Sequence, residues 1–138
     1  MKMKEDRIED KITEIGQFLE ELGSIFQLNF EEYKCDFKIR AICERNFEKI
    51  VEAVVDLAFI TIKERKLKIP EDDEISFNIL KDNKIISDEL AKKLKEAKGM
   101  INVIAHEYGK IDDEKVFHAV SEELIPDVRK FLNSIESV

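Results

Sequence analysis

The residues best suited to chemistry lie in one short stretch, Asn102 to Tyr108, reading Asn-Val-Ile-Ala-His-Glu-Tyr. It brings an imidazole and a phenol within two positions of each other, with a carboxamide four residues before the imidazole. Residues four apart share a helix face, so Asn102 and His106 can address the same volume. Ile101, Val103, Ile104 and Ala105 fill the other sides and would hold the polar pair against a core. Gly109 follows where a C-cap glycine is expected. A histidine in the last turn of a helix feels the negative end of the helix dipole, which favours its protonated form and suits acid–base work. The same place equally suits a histidine that only caps its own helix.

The elements that must position this stretch are helical. The chain has 138 residues, 43% hydrophobic and 39% charged, with only four Gly and two Pro. Breakers are too few for an all-β chain, and the length fits one domain, 1–138, with a real core. Ile8, Ile12, Ile15, Leu19, Leu22 and Phe26 recur every three or four residues and predict a first helix to about Leu28. A second and longest helix is predicted from Glu31 to Lys66, with Phe37, Ala41, Phe47, Ile50 and Val51 facing inward. From Ile50 to Ile62 it is apolar almost all round, which predicts a central or interfacial helix; Asp56 in that run then needs a partner or a polar cleft. Pro70 ends a linker, and Ile75 to Asp82 reads as a short helix. Ser87 starts the helix that carries His106, and Asp113 is the expected N-cap of the last one. That helix uses Val116, Val120, Leu124, Val128, Phe131 and Ile135, and Pro126 should bend or split it. The expected fold is all-α, an up-and-down four-helix bundle with an additional short helix.

Composition narrows the function. A net charge of −8 removes general attraction to nucleic acid, so an RNA contact would need a local basic patch. Cys35 and Cys43, eight apart on one helix, are about 12 Å from each other, too far for a disulfide. With no signal peptide and no long apolar run, a cytoplasmic protein without a membrane segment is expected. No His/Cys/Asp set has metal-ligand spacing and no glycine loop cradles phosphate, so neither metal nor cofactor is expected. His118 reads as exposed, the acidic run Glu71 to Glu74 as a solvated loop, and Arg40 and Glu44 have the spacing of a surface ion pair.

Taken in order, Arg-Ala-Ile-Cys-Glu (40–44), a helix carrying Asp56, the Lys-Leu-Lys-Ile-Pro linker, a short helix and Asn-x-x-x-His-Glu-Tyr-x-x-Ile-Asp resemble the HepT-like branch of the HEPN superfamily over residues 7 to 136. This resemblance implies a homodimer with a metal-independent ribonuclease site at the dimer interface, RNA as substrate, and an MntA-like nucleotidyltransferase antitoxin as partner. It assigns His106 to the family histidine, Tyr108 to the tyrosine and Asn102 to the polar residue. It also makes Tyr108 a candidate acceptor of adenylate from the antitoxin. The motif arginine is missing: Ile101 stands five before His106, and no arginine occurs between Arg65 and Arg129. Lys98, two turns back, is poorly placed to replace it, which leaves Arg40 and Arg45, with Glu44 beside them, as candidate support for the cleft. Two readings follow, a toxin that cleaves RNA or a catalytically degenerate HEPN subunit that pairs with a nucleotidyltransferase. A plain helical interaction protein is the third.

Overall fold

The computed structural model describes the backbone of residues 4–25, 28–106 and 111–137, and side chains over 7–25, 28–104 and 111–137. Its described elements are helices: α1 (Lys4–Ile25), α2 (Phe30–Cys35), α3 (Phe37–Glu64), α4 (Asp73–Asp82), α5 (Asp88–His106), α6 (Asp113–His118), a π-helical stretch (Ala119–Leu124) and α7 (Ile125–Glu136). Four long rods make the bundle. α1 packs on α3, α3 on α5, α5 on α7, and α7 closes back on α1. The short α4 wedges against α3 and α5, and α2 sits between α3 and α6. The core runs along these contacts through Ile15, Leu19, Leu22, Phe47, Ile50, Leu57, Ile62, Phe77, Leu94, Val128 and Phe131. Each such side chain, fully buried, contributes about 1.5–3 kcal/mol.

The expected single helix from 31 to 66 is two helices. Asp36 has an extended backbone (φ −118°, ψ 101°), and its carboxylate accepts hydrogen bonds from the N–H groups of Lys38 and Ile39. An aspartate that caps the next helix in this way cannot also continue the previous one. α2 has its own capping box, formed by Asn29 and Glu32. The bundle therefore carries two short helices rather than one. At its other end α3 stops before the proline, because Lys66 adopts a left-handed conformation (φ 57°).

Two inward assignments are corrected. Phe37 is 68% exposed and Ala41 is exposed, because the break at Asp36 turns the first two turns of α3 outward. Asp56 has the partner that its place in the apolar run calls for: it lies at the surface, 3.7 Å from Lys11. A strip through Arg45, Glu52, Asp56 and Lys63 is exposed, so the helix is central without being buried on every side. The N-cap of α6 is Asp112, one residue earlier than expected, accepting from the N–H groups of Glu114 and Lys115. Ser87 does start α5, its hydroxyl accepting from the Leu90 N–H at 3.1 Å. The last rod is divided just before Pro126 into a π-helical stretch and α7, with helical backbone angles at Leu124 and Ile125. A proline has no N–H for the usual ladder, and the i→i+5 pattern ahead of it absorbs that loss.

Candidate active site

The last turns of α5 place the polar stretch. Ile101 and Ile104 are buried in the core, while Asn102 is exposed on the other side of the helix. His106 ends α5; its imidazole, and all of Glu107 to Lys110 including Tyr108 and Gly109, lie outside the described residues. Ile101, where the resemblance calls for an arginine, is only 3% exposed and packed as an ordinary core residue. Lys98 turns toward α4 and pairs with Asp73 at 3.2 Å.

The end of the bundle reached by α5 is also the end where α3 and α6 begin. Ile104, Val103 and Met100 of α5 share a cleft of about 310 Å³ with Ile111, Asp112 and Lys115 at the start of α6. On the α3 side, the Arg40 guanidinium lies 3.9 Å from the Asp113 carboxylate and donates a hydrogen bond to the Lys34 carbonyl. Arg40 thus clips α2, α3 and α6 together. The expected Arg40–Glu44 surface pair is replaced by this longer-range one. Nothing in the spacing of positions 40 and 113 foretells it.

Glu44 and Tyr33 complete the cluster. Burial raises the Glu44 carboxyl above its ordinary range, Asp113 pushes it further, and Arg40 opposes both. Tyr33 is fully buried, its ring tilted against Phe117 at 5.3 Å, and burial drives its phenol far above the usual value, with Glu44 adding to the effect. Such a phenol stays neutral and serves as a wall, not as a base. Cys43, beneath Glu44, is pushed up to about 11 by burial and is an inert thiol. Arg45 is on the outer face, 3.3 Å from Glu48. His118 is away from the cluster, between Glu122 at 2.9 Å and Glu123 at 3.0 Å. Among the described residues no group of three or more His, Cys, Asp or Glu could hold a metal ion, and no helix is long and apolar enough to cross a membrane.

The arrangement unites two of the three candidate support residues, Arg40 and Glu44, and separates Arg45 from them. Asp113 and Tyr33, which sequence spacing did not single out, are the other members. An all-α bundle with titratable residues gathered at the end of a helix bearing Asn-x-x-x-His is the frame of a HEPN-type domain. A family model described as "Ribonuclease HepT-like" matches residues 15–135, and the chain belongs to that family. It is similar to an mRNA nuclease HepT of Shewanella oneidensis, 26% identical over 96% of this chain and 98% of that one. A tRNA nuclease HepT of Aphanizomenon flos-aquae is 29% identical over 83% of this chain and 78% of its own. In structure it resembles the tri-AMPylated HEPN toxin of Shewanella oneidensis solved in complex with an MNT antitoxin, with a TM-score of 0.89, 25% identity and full coverage of both chains.

Proposed function

We propose that this protein is a HepT-like toxin, a homodimeric, metal-independent endoribonuclease neutralised by a nucleotidyltransferase antitoxin. The observation that carries the reading is the family match over most of the chain, joined by two nuclease relatives that align along most of their length. In the chemistry this implies, a ribose 2′-hydroxyl attacks the adjacent phosphate and the 5′-oxygen leaves. His106 moves the proton, taking it from the 2′-hydroxyl and returning it to the leaving oxygen, as an imidazole can. Asn102 and Tyr108 orient the phosphate, and Tyr108 is also the acceptor of adenylate from the antitoxin, which would silence the site.

A second reading has a specific observation behind it. Position 101 is core isoleucine, and three cations that could have stood in for an arginine have other partners: Lys98 has Asp73, Arg40 has Asp113 and the Lys34 carbonyl, and Arg45 has Glu48. Losing a preorganised donor to the phosphate costs about 10²–10³ in rate. On this reading the chain is a degenerate subunit that pairs with the nucleotidyltransferase without cutting RNA.

The test is cleavage of a mixed tRNA and messenger RNA pool by purified protein in EDTA, beside His106→Ala. Cleavage that survives EDTA and is lost in the variant supports the nuclease. Equal cleavage in both, or none in either, overturns it in favour of the binding subunit.

A further inference from the structure

Charge is not spread evenly over this acidic chain. At the end of the bundle where α3, α4 and α7 stop and α5 begins, two clefts of about 680 and 630 Å³ adjoin, sharing Lys84, Ile85, Asn133 and Ser134. Arg65 lines the first, and Lys81 and Lys130 line the second. Among the described residues Asp88 is the one carboxylate on either wall. A groove with four cations and one carboxylate thus lies in a chain whose net charge is −8. Arg65, Lys84 and Lys130 are exposed, and none of the three forms an ion pair with a described residue. Lys81 reaches Asp82 only at 3.9 Å, and Lys130 is felt by the buried Asp127 without pairing with it. Of the other carboxylates at this end, Glu64 and Glu136 line the next cleft beside Arg65, and Glu89 lines none of the three.

Helix ends do not undo this balance. The C-cap residues of α3, α4 and α7 (Arg65, Asn83 and Ser137) all line the first cleft, and each helix end brings about half a negative charge. The start of α5 brings about half a positive one, so the groove keeps a surplus of about two positive charges. A cation in the last turn of a helix needs no ligand to explain it, but that effect fades beyond the turn. Lys130 stands in the middle of α7 and still lines the groove.

We infer that this groove is a docking site for the phosphate backbone of substrate RNA, at the opposite end of α5 from His106. The inference deepens the nuclease reading and rests on it for the identity of the ligand. It supplies the local basic patch that an acidic chain needs before it can hold RNA. The cations are strung along two joined clefts instead of converging on one point, which suits a row of phosphates better than a single phosphate group. No aromatic side chain lines either cleft, so the groove meets backbone and not bases, and binding should be indifferent to sequence. The apolar lining, Leu67, Ile85, Ile86 and Leu90, is too small for the apolar core of a protein interface. With 19 residues, α5 puts the groove about 28 Å from His106, so it holds the strand without touching the chemistry.

Fluorescence anisotropy of a labelled oligouridylate, titrated with full-length protein carrying His106→Ala so that the probe stays intact, tests this. Adding Lys84→Ala with Lys130→Ala should lower the slope of log affinity against log salt by about 1.4, since each contact on a single strand contributes about 0.7. At 0.1 M salt that is about a 25-fold loss of affinity. Lys84→Arg with Lys130→Arg should keep binding, and Lys34→Ala with Lys38→Ala, the same charge change at the other end of the bundle, should leave it unaltered. All of these positions are exposed, so the variants should fold, as circular dichroism will check. Equal affinity in both alanine pairs, whether lost or kept, overturns the inference, as does no binding by the parent. Displacement of the RNA by uridine monophosphate at equal phosphate concentration also overturns it, in favour of a site for single phosphates. If the groove pair loses binding while protein with His106 intact cuts nothing in EDTA, the groove stands and only the nuclease reading falls. If the protein cuts RNA and the groove pair binds as the parent does, the inference alone falls.

Discussion

The two halves of α3 are made of similar residues and meet opposite fates. From Phe47 to Ile62 its apolar side chains are mostly buried: Phe47, Ile50, Leu57 and Ile62 are fully covered by α1, α4 and α5. From Phe37 to Arg45 the same helix exposes an aromatic ring, an alanine and an isoleucine to water. Adjacent residues mark the boundary, with Ile42 outside and Cys43 fully buried. The difference is not in hydrophobicity but in what lies opposite. The second half has α1, α4 and α5 around it, while among the described residues the first is flanked on its Tyr33 side by α2, with Asp113 at the start of α6 reached by Arg40. Apolar residues on the uncovered side contribute nothing to the core, so a role for them must be sought outside it.

Several experiments can break or sharpen that contrast. The largest expected effect is chemical. Cys35 is exposed and Cys43 buried, its thiol pushed up to about 11. In the native chain a disulfide reagent at neutral pH should titrate Cys35 rapidly, and Cys43 orders of magnitude more slowly, at the rate at which the chain opens. Equal rates would remove the boundary. Next, Phe47→Ala should cost about 3–5 kcal/mol by urea denaturation, because it empties a fully buried site. Asp36→Ala should cost about 1 kcal/mol and loosen the joint between α2 and α3, as loss of an N-cap usually does.

A smaller effect is set by pH. Burial raises the Asp127 carboxyl, Lys93 and Lys130 oppose the rise, and Glu123 and Glu89 add to it. Its proton is therefore held to a higher pH in the folded chain than in the unfolded one. Asp127 supports the fold most at pH values below the ordinary aspartate value of about 3.9, and that support declines as pH rises through the raised value. Asp127→Asn should raise the urea midpoint at pH 7 and lose its advantage at acid pH. Smallest of all, Phe37→Ala should change stability by no more than about 0.5 kcal/mol. A larger loss would mean that Phe37 belongs to the core after all.

Much of this was legible in the sequence because periodicity and caps report burial along one helix. The α1 stripe and the start of α5 at Ser87 were readable that way, while the family was legible only as a resemblance in the order of the motifs. What periodicity cannot report is where a helix is cut by a competing side chain. Asp36 offers its carboxylate to the backbone ahead of it, and this local bond outweighs an apolar pattern that runs straight through. Once the helix is cut there, Phe37 and Ala41 turn outward. Asp56 was read correctly as needing a partner, but the run's solvated side was not legible, since one carboxylate does not say how wide the exposed strip is. The Arg40–Asp113 pair joins residues far apart in sequence, and no spacing rule reaches that distance. The candidate roles of His106 and Tyr108 rest on the family resemblance, since their side chains lie outside the described residues.

The widened turn ahead of Pro126 has a consequence for phase. Val116, Val120, Leu124 and Val128 are each four residues apart and all are buried. In a regular α-helix four residues overshoot one turn by about 40°, so three such steps would carry the last of them about 120° off the core. Spreading the residues over the larger π circumference between Ala119 and Leu124 cancels that drift and keeps all four in line. Winding the same residues as a regular α-helix would instead rotate everything before that stretch by about 120°. Asp113 would swing away from Arg40 and Phe117 from Tyr33. The irregular turn is thus a vernier that aligns one end of the bundle with the other.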